Sequence, residues 1–372
     1  MREKTKNKKV IVAMSGGVDS SVAAALLKKE GYDVVGVFMK FWQSRIDTNK
    51  TDSHRFENRC CSSEAEKRAR VVAAKLKIPF YVFNFEKEFK KKIVDYFLKE
   101  YKTGRTPNPC VVCNKEIKFG LLLKKVLALN ADFIATGHYV RVVDDSRQCI
   151  FRLYKARDKK KDQSYFLWQL NQKILKRTLF PVGNYAKEEV RKLAKKFKLP
   201  NYNAPESQEI CFVQTTVNDF LKKYIKNRPG PVVEQVHYGV KKIIGEHQGL
   251  WFYTIGQKKG IDLAGGPFYV LDKDIKKNIL IVTQNENDLY KKELIVKDVN
   301  WIHPVKCCEA AIPPKAELFN RVKVKIRYKH EPGLAMVRRN KIIFDKPQRA
   351  ITPGQSVVFY KGQELLGGGV IS

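Results

Sequence analysis

At 372 residues the chain is long for one domain and suits two or three. Lys and Arg number 72 against 38 Asp and Glu, a net charge of +34, which favours a polyanionic partner such as RNA. No apolar run approaches the ~20 residues of a membrane span, and no apolar stretch of a signal peptide follows the lysine-rich start, so no membrane partner and a cytoplasmic location are expected. Lysine spread along the whole chain also fits a compositional bias, so charge supports RNA binding without establishing it.

In chain order, the apolar run Val10–Met14 breaks into Ser15-Gly16-Gly17-Val18-Asp19-Ser20-Ser21 and opens an alanine-rich amphipathic stretch, Val22–Glu30. Strand, glycine turn and helix in that order offer unpaired backbone N–H groups and the positive end of a helix dipole to an anion. Gly16 and Gly17 let phosphate oxygens approach the backbone, and the serines add hydroxyl donors. The spacing is neither GxxxxGK[ST] nor GxGxxG with an acidic residue about 20 positions on. Runs at Val34–Met39, Phe80–Phe85 and Phe133–Thr136 read as further buried strands, with helical patterns at Ser20–Glu30, Glu64–Leu76, Glu86–Tyr101 and Lys118–Leu129. Ser63 with Glu66 reads as a capping box, and Gly31 as the stop of the first helix. This alternation predicts an α/β, doubly wound parallel sheet, Rossmann-like in class. Ligands of such sheets bind at the carboxyl ends of the strands, where the glycine loop, Phe38-Met39-Lys40 and Thr136-Gly137-His138 would gather.

Tyr185–Lys198 is a last strong amphipathic helix, and Pro200–Pro205 reads as a connector. Short β-like runs then take over, at Phe268–Leu271 and Ile279–Val282 and later at Val322–Tyr328, Lys341–Phe344 and Ser356–Phe359; the last group suits a small β-barrel. The expected division is 1–205 for the nucleotide domain, 206–285 for a small mixed central domain and 286–372 for the barrel.

Eight cysteines in a chain of this size need no disulfide framework. Cys149, in an alternating stretch, reads as packing, and the pairs Cys60-Cys61 and Cys307-Cys308 lack metal-ligand spacing. Cys110-Val111-Val112-Cys113 differs, because prolines stiffen its approach and a helix follows, which places Cys113 near positive backbone and lysine charge. Such surroundings raise the thiolate fraction. Cys211, far off in Ser207-Gln208-Glu209-Ile210-Cys211-Phe212, is a second thiol that could meet the first over the nucleotide loop.

The loop SGGVDS resembles the PP-loop of ATP pyrophosphatases, which cleave ATP between its α and β phosphates. The strings KVIVAMSGGVDSS, VFMKFW, GRTPNPCVVCNKEIKFG, ATGHYVR, KDQSYFL, QEICF, IGEHQGLWFYTIGQKKG, IRY and TPGQSVVFY follow the order found in the tRNA-specific 2-thiouridylases, over nearly the whole chain. The resemblance implies ATP- and Mg²⁺-dependent transfer of sulfur to C2 of the wobble uridine of tRNA. It carries over Ala13, Met14, Ser15, Gly16, Gly17, Val18, Asp19, Ser20, Met39 and Gly137 as ATP contacts. Cys211 becomes the persulfide carrier and Cys113 its partner nucleophile, the two ending in a transient disulfide. Asn108, Pro109 and Cys110 would lie against the target base, and His138, Lys161, Asp162, Gln163, Arg327, Tyr328 and Gln355 would contact tRNA. Without the resemblance, Arg327-Tyr328 would read as an alternating barrel-strand position. A cysteine desulfurase or a sulfur relay is the implied sulfur donor.

One position departs from the family pattern, because Cys110 stands where most members carry Asp. With Cys113 and Cys211 it offers three thiolates, enough for an iron–sulfur cluster with one open iron. Beside the thiolation reading stand a PP-loop ligase or amidase, which needs no paired thiols, and a non-catalytic RNA-binding module with a relict loop.

Overall fold

The computed structural model describes residues 7–43, 61–205, 210–235, 241–261, 263–302 and 321–372. Four strands open the chain: β1 (Lys9–Ala13), β2 (Asp33–Lys40), β3 (Phe80–Asn84) and β4 (Phe133–Ala135). A hairpin, β5 (Val140–Asp145) and β6 (Ile150–Lys155), and the short β7 (Thr178–Leu179) follow. The first sheet runs β3-β2-β1-β4-β7 with every pairing parallel. From Val10 to Ala13, β1 is buried throughout, as a central strand covered on both faces requires. Helix α1 (Val18–Lys29) buries nearly every residue of its first three turns, packed between this sheet and the helix Lys187–Lys196. Small side chains at Ala23, Ala24 and Ala25 allow that close approach. Gly31, at φ +91°, ends α1 in the left-handed region, as its position in the sequence indicates.

The central sheet runs β10-β11-β8-β9, from β8 (Gly230–Gln235), β9 (Lys241–His247), β10 (Tyr269–Asp274) and β11 (Ile279–Thr283). Its Val232, Val270, Leu280 and Val282 belong to the same apolar core as β1 and α1. The last strands are β12 (Tyr290–Trp301), β13 (Val322–Lys325), β14 (Gly333–Arg338), β15 (Lys341–Arg349), β16 (Ser356–Lys361) and β17 (Glu364–Ile371). They pair in the order β12-β15-β14-β13-β16-β17, and β17 returns to β12, closing a six-stranded barrel. Val324, Ala335, Ile342, Val357 and Phe359 fill it. The doubly wound sheet and the barrel are thus both present as expected.

Several local expectations are corrected. The cap of helix α2 (Ser63–Lys75) is Ser62, whose side chain accepts from Ala65 N at 3.1 Å; Ser63 lies inside the first turn, so the capping box at Ser63 and Glu66 does not form. The segments Glu86–Lys102 and Pro109–Ala128 each contain a π-helical stretch, at Lys90–Val94 and Asn114–Leu121. Strand β13 stops at Lys325, so Arg327 and Tyr328 sit in a turn instead of alternating along a barrel strand. Cys149 is exposed, at φ +51° in the turn joining β5 to β6, so it is not a packing residue. Cys60, Cys307, Cys308 and the Ser207–Glu209 part of the second cysteine motif lie outside the described residues.

Candidate active site

At the carboxyl end of β1 the chain turns through Gly16, whose φ of +75° suits glycine, into α1. A Cβ on Gly16 would stand 2.3 Å from Ala65 O, because the first turn of α2 is pressed against the loop. Gly17, by contrast, has only Ser15 Oγ near its Cβ position, at 3.5 Å, so its missing side chain leaves open space at the helix N-terminus. The loop is braced from within. Ser15 N donates to Ser20 Oγ at 3.2 Å, and Ser20 Oγ and Ser21 Oγ donate to Gly17 O at 3.2 and 2.9 Å. From behind, Asn201 Nδ2 donates to Gly16 O and Ser21 Oγ, both at 2.9 Å. Met14 N donates to Val37 O at 2.8 Å, which joins the loop to β2, and Met39 near the end of β2 packs against the same core. Gly137, just after β4, meets the first turn of α1 so closely that a Cβ would stand 2.6 Å from Ser20 N. The structure therefore gathers Ala13–Ser20, Met39 and Gly137 at one end of the sheet.

Asp19, in the first turn of α1, receives two hydrogen bonds on one oxygen. Tyr139 Oη and Lys187 Nζ each donate to Oδ1 at 2.6 Å. Nothing in the composition of either segment announces this pair. Asn201 was equally hidden, in a passage legible only as a connector.

The cysteine loop is held from three directions. Arg105 forms a two-pronged bond with Glu100 at 2.7 and 2.8 Å. Lys273 of the central sheet donates to Gly104 O at 3.1 Å, and burial pushes its ammonium down to about 8. From the barrel, Gln355 Nε2 donates to Thr106 O at 2.9 Å, and Pro353 O accepts from Thr106 N at 2.9 Å. Asn108 then caps a helix, accepting from Val111 N at 3.4 Å, with Pro109 in the first helical position. Cys110 falls in the first turn, partly buried, and Cys113 is the last residue of this short helix, buried.

Cys211 is partly buried in a turn and packs against the same core that contains Cys113. Its neighbour Phe212 is the anchor, with edge contacts to Phe89, Phe97 and Phe220 at ring separations of 5.9, 5.3 and 5.3 Å. Among the described residues no group of three His, Cys, Asp or Glu side chains is arranged to hold a metal ion.

The remaining expected contact residues line the seam between the first sheet and the barrel. His138 is partly buried between Phe119 and Phe180, hydrogen-bonded through Nδ1 to Thr136 Oγ1 at 2.8 Å, and desolvation with the charge of Lys118 holds it well below the usual imidazole range. Asp162 accepts from Ala156 N, Ser164 N and Ser164 Oγ, and Tyr328 Oη donates to its carbonyl at 3.1 Å. Gln163 Oε1 accepts from Tyr139 N at 2.9 Å. Lys161 N donates to Asp158 Oδ1, and Arg327 Nη2 donates to Arg349 O at 2.9 Å. The side chains of Asp162, Gln163 and Gln355 therefore brace the protein's own backbone. The ring of Tyr328 lies against Phe166 at 4.5 Å.

A parallel sheet whose first strand opens through SGGxDS onto a helix defines a PP-loop ATP pyrophosphatase, the class of protein this is. Three family models cover the chain: the tRNA methyl transferase HUP domain over residues 8–215, the tRNA methyl transferase PRC-barrel domain over 218–284 and the aminomethyltransferase beta-barrel domain over 291–371. Proteins named tRNA-specific 2-thiouridylase MnmA from Clostridioides difficile and Carboxydothermus hydrogenoformans are each 46% identical, over 98% of this chain and 98% and 97% of their own. One named tRNA-specific 2-thiouridylase MnmA 2 from Clostridium tetani is 48% identical over 98% of both chains. The chain belongs to the MnmA family of tRNA-specific 2-thiouridylases. Among the described residues no helix is long and apolar enough to cross a membrane.

Proposed function

We propose that this enzyme performs ATP-dependent 2-thiolation of the wobble uridine of tRNA, with Cys113 and Cys211 as its sulfur-handling pair. The observation that supports this reading is that Cys113 lies in, and Cys211 packs against, the same apolar core that holds Ala13, Met14 and Val18 of the nucleotide loop. Residues 1–205 would bind ATP, 206–285 would bring the second cysteine, and 286–372 would receive tRNA.

Uridine O2 is a poor leaving group, so it is first adenylated, with pyrophosphate departing. The N–H groups at the start of α1 and the open face of Gly17 suit the phosphates. Mg²⁺, when bound, would neutralise charge on the departing pyrophosphate, and Asp19 is the carboxylate of the loop able to hold it. A persulfide on Cys211, supplied by a sulfur-donor protein, then adds through its outer sulfur to C2, and AMP leaves with the oxygen. The Cys113 thiolate attacks the inner sulfur of Cys211, which expels the 2-thiouridine and forms a Cys113–Cys211 disulfide. An external thiol reduces it. The uridine must be splayed from the anticodon loop to reach this site, where Asn108, Pro109 and Cys110 would meet it. The alternative route uses sulfide on an iron–sulfur cluster held by Cys110, Cys113 and Cys211, and iron and acid-labile sulfide analysis of anaerobically purified protein distinguishes the two: iron-free protein that still thiolates tRNA excludes the cluster.

Mass spectrometry of tRNA incubated with the protein, ATP, Mg²⁺ and a persulfide source tests the reading. The expected product gains about 16 mass units at uridine, S for O, and Cys113→Ser and Cys211→Ser each abolish the gain. Pyrophosphate release by Cys113→Ser equal to wild type, with no sulfur entering tRNA in either protein, would point to a PP-loop ligase or amidase, and no tRNA-dependent pyrophosphate release would point to a binding module.

A further inference from the structure

Lys187 and Tyr139 have no part in the reaction as described, yet both close on the loop carboxylate. Each donates to Asp19 Oδ1 at 2.6 Å, and the Lys187 side chain is only 10% exposed. A buried ammonium is kept only where its charge is compensated. Each residue is also tied at its other end to one short segment, residues 158–163. Asp158 Oδ2 accepts from Lys187 N at 3.0 Å, while Asp158 Oδ1 accepts from Lys160 N and Lys161 N at 2.9 and 3.3 Å. Gln163 Oε1 accepts from Tyr139 N at 2.9 Å, and Gln163 N donates to Tyr139 O at 3.0 Å. Two arms, Asp158–Lys187 and Gln163–Tyr139, therefore run from one surface segment and converge on a single oxygen of the nucleotide loop.

We propose that Lys187 and Tyr139 are positioning residues for adenylation: they tie Asp19 to the segment 158–163, so that seating tRNA there and setting Asp19 for Mg²⁺-bound phosphate are one event. This rests on the reading of Lys161 and its neighbours as tRNA contacts. The two arms have a simple physical consequence. With Oδ1 held by two donors, the carboxylate keeps its other oxygen for a cation, and a shift of the 158–163 segment is passed to it through Lys187 and Tyr139. An enzyme wired in this way does not release pyrophosphate wastefully in the absence of tRNA.

The test uses the full-length protein and measures tRNA-dependent pyrophosphate release against ATP, Mg²⁺ and tRNA, with tRNA affinity measured separately by filter binding. Lys187→Met is expected to lower kcat by about tenfold or more and to raise the Mg²⁺ concentration for half activity by about fivefold, with tRNA affinity within about threefold of wild type. Lys187→Arg restores part of kcat. Asp158→Ala, which cuts one arm without touching Asp19, lowers kcat at saturating tRNA by about fivefold. If the lysine variants do not fold, Tyr139→Phe carries the same measurement, with a Mg²⁺ shift expected. An unchanged Mg²⁺ dependence and kcat within about twofold of wild type, or a loss explained wholly by weaker tRNA binding, would overturn the proposal. A wild-type protein that itself fails to thiolate tRNA overturns the proposed function instead, which separates the two.

Discussion

Gly137 shows how much a single missing side chain does. Its Cα approaches the first turn of α1 so that β4 can close against the nucleotide loop, and a methyl there would collide with the Ser20 N and Asp19 C atoms at 2.6 and 2.7 Å. Gly137→Ala should displace that turn by a fraction of an ångström and cut ATP-dependent pyrophosphate release by about tenfold to a hundredfold, read by steady-state kinetics. Lys273 makes a second prediction, this one of pH dependence. Its folded value of about 8 lies below the ordinary 10.5, so between those values the unfolded chain holds a proton that the folded chain has released. Stability therefore rises as pH rises through that window, and the contribution is unfavourable below it. Urea denaturation across the window should show the rise for wild type and a flatter curve for Lys273→Met.

At the scale of elements, the two π-helical stretches sit in the two segments that carry or support the cysteines. Lys90–Val94 lies between Phe89 and Phe97, the rings that grip Phe212, and Asn114–Leu121 begins one residue after Cys113. The helical periodicity of both segments was legible from sequence, but their widened turns were not, because a π bulge changes the register of side chains without changing composition. Phe212 anchors the second cysteine through geometry alone. Phe212→Leu should keep most of the apolar burial and lose the edge contacts, about 1 kcal/mol of stability. Thiolation should fall by about tenfold while tRNA-dependent pyrophosphate release stays within about threefold, because only the sulfur step needs Cys211 in place.

Across the whole molecule, the barrel is not an appendage. The β5–β6 hairpin lies in the first half of the chain but extends the barrel sheet, pairing Tyr154 with Glu364 and Leu153 with Leu365. Val140, Leu153, Trp168, Tyr360 and Leu365 form one apolar cluster across that join. A boundary drawn by composition near residue 205 is blind to this, since pairing between distant strands leaves no local signal. A truncation ending at residue 285 is therefore expected to expose the β6 edge and the Trp168 cluster and to elute as aggregate in size-exclusion chromatography. The same join holds the cysteine loop through Gln355 and Thr106, and Gln355→Ala should lower thiolation at limiting tRNA more than pyrophosphate release at saturation.

By itself the sequence determined the parallel sheet, the glycine loop, the barrel and the two thiols, because each rests on a local pattern: period, turn chemistry or a motif in a fixed order. The convergence of Tyr139 and Lys187 on Asp19, the bracing of Gly16 by Asn201 and the grip of the central sheet and the barrel on the cysteine loop were decided by tertiary structure. These contacts join residues more than a hundred positions apart, and their energies come from desolvation and close approach, which exist only once the chain is packed.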